Sequence, residues 1–116
     1  MSIPKSENAE KSLLIEFLGD TPFVRVLDFL IQNSIFDYVK SDISESAGIS
    51  RASLYKIWPT LEKYQIIKET RKIGNTTLYK LNKKNPVVQK LIELDFKISK
   101  EFAESLTAKQ VMVSRS

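Results

Sequence analysis

The spacing of apolar residues changes at Gln65, from a helical repeat to that of a hairpin, and few folds accept such a change. Ahead of it, Leu54, Ile57, Trp58 and Leu61 fall at i, i+3, i+4 and i+7, one stripe of a helix predicted from Arg51 to about Tyr64. Behind it, Ile66 to Ile73 and Thr76 to Leu81 read as two strands joined by Gly74-Asn75, a two-residue hairpin turn. Tyr79 and Leu81 alternate with Lys80, so one face of the hairpin is expected to be buried and the other wet. Pro59 lies inside the predicted helix, where it removes the bond to the Tyr55 carbonyl and costs about 3 kcal/mol. A bend or break over Tyr55–Pro59 is therefore expected.

The segments before this junction are short and well punctuated. Ala9 to Leu18 reads as a helix with Leu13, Leu14, Phe17 and Leu18 on one side, stopped by Gly19-Asp20. Thr21 is placed to cap the next helix, with Pro22 at its first position. Phe23, Val26, Leu27, Leu30 and Ile31 form its stripe up to about Asn33. Ile35 to Val39, rich in β-branched and aromatic residues, is predicted as one small strand. Ser41 or Asp42 is expected to cap a third helix in which Ile43 and Ala47 face inward. Gly48-Ile49-Ser50 then supplies a residue able to take positive φ, an apolar anchor and a new N-cap. After the hairpin, Asn85 and Pro86 open a last helix from about Val87 to Leu106. Its apolar set is larger than one small domain easily covers.

Composition narrows the chemistry. The 116 residues contain no cysteine and no histidine, which excludes disulfides, thiol redox sensing and zinc sites of the usual Cys/His kind. The commonest general base and the thiol nucleophile are missing too, and there is no glycine-rich phosphate loop or metal-ligand spacing. The expectation is a binding protein, not an enzyme, without a cofactor. A polar N-terminal stretch and no apolar run of about 20 residues give a cytoplasmic address by default.

Net charge is +4, and its distribution matters more than its size. Residues 50–84 carry nine basic side chains against two acids, whereas residues 1–49 carry four against eight. Positive charge thus gathers on the predicted helix and hairpin. With Leu54 at zero on a helical wheel, Ala52, Lys56, Pro59 and Lys63 lie within about 40° of the opposite pole. Tyr55 and Thr60 flank that pole, and Ser50, Arg51 and Ser53 stand at the N-terminal end.

The order helix, short strand, helix, tight turn, helix, hairpin is that of a winged helix-turn-helix. Asp42-Ile43-Ser44-Glu45-Ser46-Ala47-Gly48-Ile49-Ser50, followed by Ile66-Ile67 and Tyr79-Lys80-Leu81-Asn82, resembles winged-helix transcription factors of the MarR/ArsR type, particularly small archaeal regulators. The resemblance covers about residues 21–84. It departs at Gln65, where many relatives have glycine, so a strained or differently shaped turn is expected there. The missing Cys and His argue against the metal-sensing branch.

The expected fold is mostly α with a small β-hairpin (α+β), a winged helix-turn-helix flanked by N- and C-terminal helices. Residues 1–20 form an N-terminal dimerisation helix, 21–84 the DNA-binding domain, 85–106 a C-terminal dimerisation helix and 107–116 a flexible tail. The resemblance implies a dimeric transcriptional regulator binding double-stranded DNA, with the helix after the glycine turn in the major groove. Candidate contacts on that helix are Ser50, Arg51, Ala52, Ser53, Tyr55, Lys56, Thr60 and Lys63. On the wing they are Arg71, Lys72, Asn75, Thr76 and Thr77, reaching the flanking backbone or minor groove. Leu13, Leu14, Phe17, Val87, Leu91, Leu94, Ile98 and Phe102 are the candidate homodimer interface. Blander readings compete with each: a solvated helix face, a polar turn kept soluble by lysine, and flanking helices packed on their own domain. A protein–protein module and a replication or plasmid-maintenance protein are the alternative functions.

Overall fold

The computed structural model describes residues 12–103. Four helices come first: α1 (Leu13–Leu18), α2 (Pro22–Gln32), α3 (Lys40–Ala47) and α4 (Arg51–Lys63). An antiparallel hairpin follows, β1 (Ile67–Ile73) and β2 (Thr76–Leu81), and then α5 (Pro86–Ile98), which runs on into a π-helical turn over Ser99–Ala103. No helix among the described residues is long and apolar enough to cross a membrane.

The punctuation works as its chemistry dictates. The Thr21, Ser50 and Asn85 side chains each accept a backbone N–H in the first turn of the helix they cap, and Pro22 and Pro86 stand just inside. At the end of α3, Ile49 N–H donates to the Ser44 carbonyl and Gly48 N–H to that of Glu45, at 3.0 and 3.1 Å, with Gly48 left-handed at φ 73°. The end of α4 repeats this closure without glycine. Ile66 N–H donates to Leu61 and Gln65 N–H to Glu62, and Gln65 takes φ 55°. Gln65 is the one non-glycine residue at positive φ among the described residues. The turn after α4 is strained at the position where glycine was missing.

The strain gives a direct prediction. Gln65→Gly should raise stability by about 0.5–1 kcal/mol, the left-handed penalty less the extra chain entropy of glycine. Denaturant titration checks it, and a variant no more stable than the parent rules the strain out.

The core gathers Val26, Leu27 and Leu30 of α2, Ile43 and Ala47 of α3, and Leu54, Trp58 and Leu61 of α4. Ile66, Ile67, Leu81 and Val88 close it from the hairpin and α5. Arg25 grips Asp20 through two hydrogen bonds of 2.6 and 3.0 Å and donates a longer one to the Ala47 carbonyl, tying α2 to the α3–α4 turn.

Several expectations need correction. The strand over Ile35 to Val39 is absent; only Tyr38 pairs, in a single bridge with Tyr79. Phe36 N–H turns back to Asn33, and Val39 is already the N-cap position of α3, so only Asp37 and Tyr38 are left to extend. Neither Ser41 nor Asp42 caps α3: both lie inside it, and Val39 makes no side-chain capping bond. Of the bend or break expected over Tyr55–Pro59, the break does not occur, and α4 is continuous through Pro59. Pro59 is solvent-exposed, so the lost bond falls on the wet side of the helix.

The hairpin alternates imperfectly. Its register slips between Glu69 and Arg71, leaving Thr70 as a bulge, and Leu78 is buried along with Leu81. In β1 only Ile67 is buried. In α1, Leu14 and Ile15 point inward, while Phe17 and Leu18 are exposed. The predicted start of this helix at Ala9 and the predicted end of the last helix at Leu106 lie outside the described residues.

Candidate nucleic-acid interface

The two faces of α4 are sharply different. Leu54, Trp58 and Leu61 are at most 4% exposed and anchor the helix from behind. Arg51, Ala52, Tyr55, Lys56, Pro59, Thr60 and Lys63 are exposed on the other side, and Ser53 is half-buried. Ser50 opens the helix: its hydroxyl oxygen accepts the Ser53 N–H at 3.0 Å and lies 3.1 Å from the Ser53 hydroxyl. Among the described residues no carboxylate pairs with Arg51, Lys56 or Lys63. Lys63 instead places its Nζ 5.2 Å from the Tyr64 ring centroid. A cationic face without counter-charges is thus presented by a helix whose back is fixed in the core.

The far end of α4 is clamped. Asn85 donates to the Tyr64 and Gln65 carbonyls at 2.8 and 2.9 Å, and Asn82 donates to Gln65 at 3.0 Å. These bonds satisfy carbonyls that a helix end otherwise leaves to water, and they hold Gln65 in its strained conformation. Asn85 meanwhile caps α5, so one side chain joins both helices.

On the hairpin, Lys72, Asn75 and Thr76 are exposed and Thr77 is half-buried, all four close to the Gly74-Asn75 tip. Lys68 and Lys80 face each other across the strands, an arrangement that repels unless an anion comes near. Arg71 is differently placed from its neighbours. Its Nε and Nη2 donate to the two oxygens of Asp37 at 3.0 and 3.2 Å, and the Thr70 hydroxyl donates to the same carboxylate. The wing is thereby pinned to the loop between α2 and α3.

Hydrogen bonds from Arg71, and then Thr70, hold the Asp37 carboxyl down at about 2. A folded-state value below the unfolded one, about 4, adds stability that is complete above pH ~4 and fades as pH falls through about 2. Thermal melts of the parent should therefore drop across this acid window more steeply than those of Asp37→Asn. Parallel curves for the two proteins would remove the pair from the account of the wing.

Asp37, Thr70 and Lys40 were not among the expected site residues. Lys40 opens α3 and sets its Nζ over the rings of Trp58, Tyr55 and Tyr79. A charge tally by segment conceals both Asp37 and Lys40, because they belong to the acidic residues 1–49 and reach the basic residues 50–84 only through folding. The one available signal was an acid and a lysine bracketing Tyr38-Val39 at the start of α3.

The dimer candidates separate into two groups. Leu14 and Ile98 are buried within the chain, and Leu13, Leu91 and Leu94 are half-buried. Phe17, Val87 and Phe102 are 60%, 61% and 51% exposed, and Phe96, not anticipated, is 64% exposed.

Solved structures share this architecture. MepR, a transcription regulator of the Staphylococcus aureus multidrug efflux pump MepA, superposes with a TM-score of 0.57 at 17% identity over 72% of this chain. ZitR of Lactococcus lactis, a zinc-responsive MarR family member, matches with a TM-score of 0.55 at 20% identity, over 78% of this chain and 68% of its own. The chain is a winged helix-turn-helix. A ZitR variant in complex with DNA superposes with a TM-score of 0.52 at 18% identity, over 79% of this winged helix and 60% of that chain. The winged helix described here spans 60% of the length of MepR. No protein-family model and no curated protein sequence matches it. Of these structural neighbours, MepR is a transcription regulator, ZitR is a MarR family member, and a ZitR variant was solved on DNA.

Proposed function

We propose that this protein is a sequence-specific double-stranded DNA-binding regulator that acts as a homodimer in the cytoplasm. The exposed cationic face of α4, with no carboxylate partner among the described residues, carries the reading. Such a face enters the major groove, with Arg51, Lys56 and Tyr55 toward base edges and Ser50, Ser53, Thr60 and Lys63 along the flanks. The wing, through Lys72, Asn75, Thr76 and Thr77, takes the flanking backbone or minor groove. The Lys68–Lys80 repulsion supports this, since a phosphate nearby relieves it. Solved relatives of this fold that regulate transcription, one of them bound to DNA, agree with it.

Phe17, Val87, Phe96 and Phe102 support the two-fold partner. A symmetric dimer through α1 and α5 covers these side chains and sets two α4 helices about one DNA turn, roughly 34 Å, apart. Selection of duplexes from a random pool, followed by a salt titration, tests the function. The selected sites should be palindromic, and affinity should fall steeply as salt rises. A protein that recovers no duplex at low salt is a protein–protein module instead.

A further inference from the structure

Lys40 makes no ion pair among the described residues, yet its ammonium is not simply left to water. Its Nζ stands 4.7 Å from the Trp58 centroid, 5.6 Å from that of Tyr55 and 5.8 Å from that of Tyr79. All three fall within the ~6 Å at which a cation is held by a ring face. Trp58 and Tyr79 in turn meet edge to face, 4.9 Å apart at 78°. The buried Trp58 Nε1 finds no hydrogen-bond acceptor among the described residues, so the indole is oriented by core packing and by ring and cation contacts, without a hydrogen bond. Trp58 and Tyr55 belong to α4 and Tyr79 to β2, so this one cation touches both halves of the interface.

We propose that Lys40 is a positioning residue of the DNA-reading surface. It fixes the Tyr55 ring on the exposed side of α4 and locks α4 to the wing. The inference rests on the DNA-binding reading above. Tyr55 is 54% exposed at the margin of the cationic face, where the Lys40 charge restrains its ring. The same short segment holds the wing from below: Tyr38 and Tyr79 exchange two backbone hydrogen bonds of 2.8 Å, and Asp37 binds Arg71. Lys40 acts by holding other groups in place and is not itself a phosphate contact.

Lys40→Met keeps the apolar stem and removes the charge, and Lys40→Arg restores the charge. Trp58 is the sole tryptophan, so its emission in the free protein reports the contact directly. The test uses a duplex recovered from a random pool by the wild type. K40M should shift the emission and weaken binding about five- to thirtyfold, with the salt slope unchanged. Its melting midpoint should move by less than about 5 °C, and K40R should recover both emission and affinity.

Wild-type affinity in K40M overturns the proposal, as does K40R binding no better than K40M. A salt slope lowered by about one makes Lys40 a direct phosphate contact and overturns it equally. Loss of the fold in K40M makes Lys40 a core residue, and the positioning role falls in that case too. If the wild type recovers no duplex at all, the DNA reading itself fails, and Lys40's role with it.

Discussion

Replacing Arg51 and Lys56 together with alanine should abolish sequence-specific DNA binding and leave the fold unchanged. Both side chains are exposed on α4, and neither pairs with a carboxylate among the described residues, so neither contributes a contact the core needs. Exposed substitutions of this kind change stability by about 0.5 kcal/mol or less. Good contacts to base edges are worth about 1–3 kcal/mol each, so the pair together removes at least about thirtyfold in affinity. The measurement is a gel-shift titration on the selected duplex, with circular dichroism to verify folding. A double variant that shifts the duplex like wild type would mean that α4 is not the reading helix.

Trp58→Ala should act on the opposite quantity. The indole is 4% exposed, joins the core cluster beside Leu54 and Leu61, and packs against Tyr79 of the wing. Deleting such a ring costs about 3–5 kcal/mol, through lost burial and the cavity left behind. A domain of this size holds about 5–15 kcal/mol in all, so the variant should be marginal at room temperature. Urea unfolding followed by far-ultraviolet dichroism gives the difference, and a loss under about 1 kcal/mol would show that the indole does not anchor α4. The two variants dissect the helix into a face proposed to read DNA and a face that holds the core.

Much of this division is legible in the sequence because it is local. Thr21-Pro22, Ser50 and Asn85-Pro86 mark helix starts by capping chemistry acting over three residues. Gly74-Asn75 marks the hairpin, and Leu54, Trp58 and Leu61 mark the buried stripe by period alone. The features that escape are those joining distant segments. Asp37 and Arg71 are 34 residues apart, and the Lys40 cage draws on three elements, so no window of periodicity contains either. The single bridge at Tyr38 and the bulge at Thr70 escape for the same reason, since a partner strand's register decides them. At Pro59, the continuity of α4 on the solvent side overrides a reliable local penalty.

The doubled use of Asn85 has a mechanical corollary. Because its amide grips the Tyr64 and Gln65 carbonyls just past α4 while its oxygen starts α5, one side chain couples the two helices. In the proposed dimer, a rotation of α5 is expected to be passed to α4 through this side chain. On that proposal, the spacing between the two α4 helices depends on an asparagine that need never touch the nucleic acid.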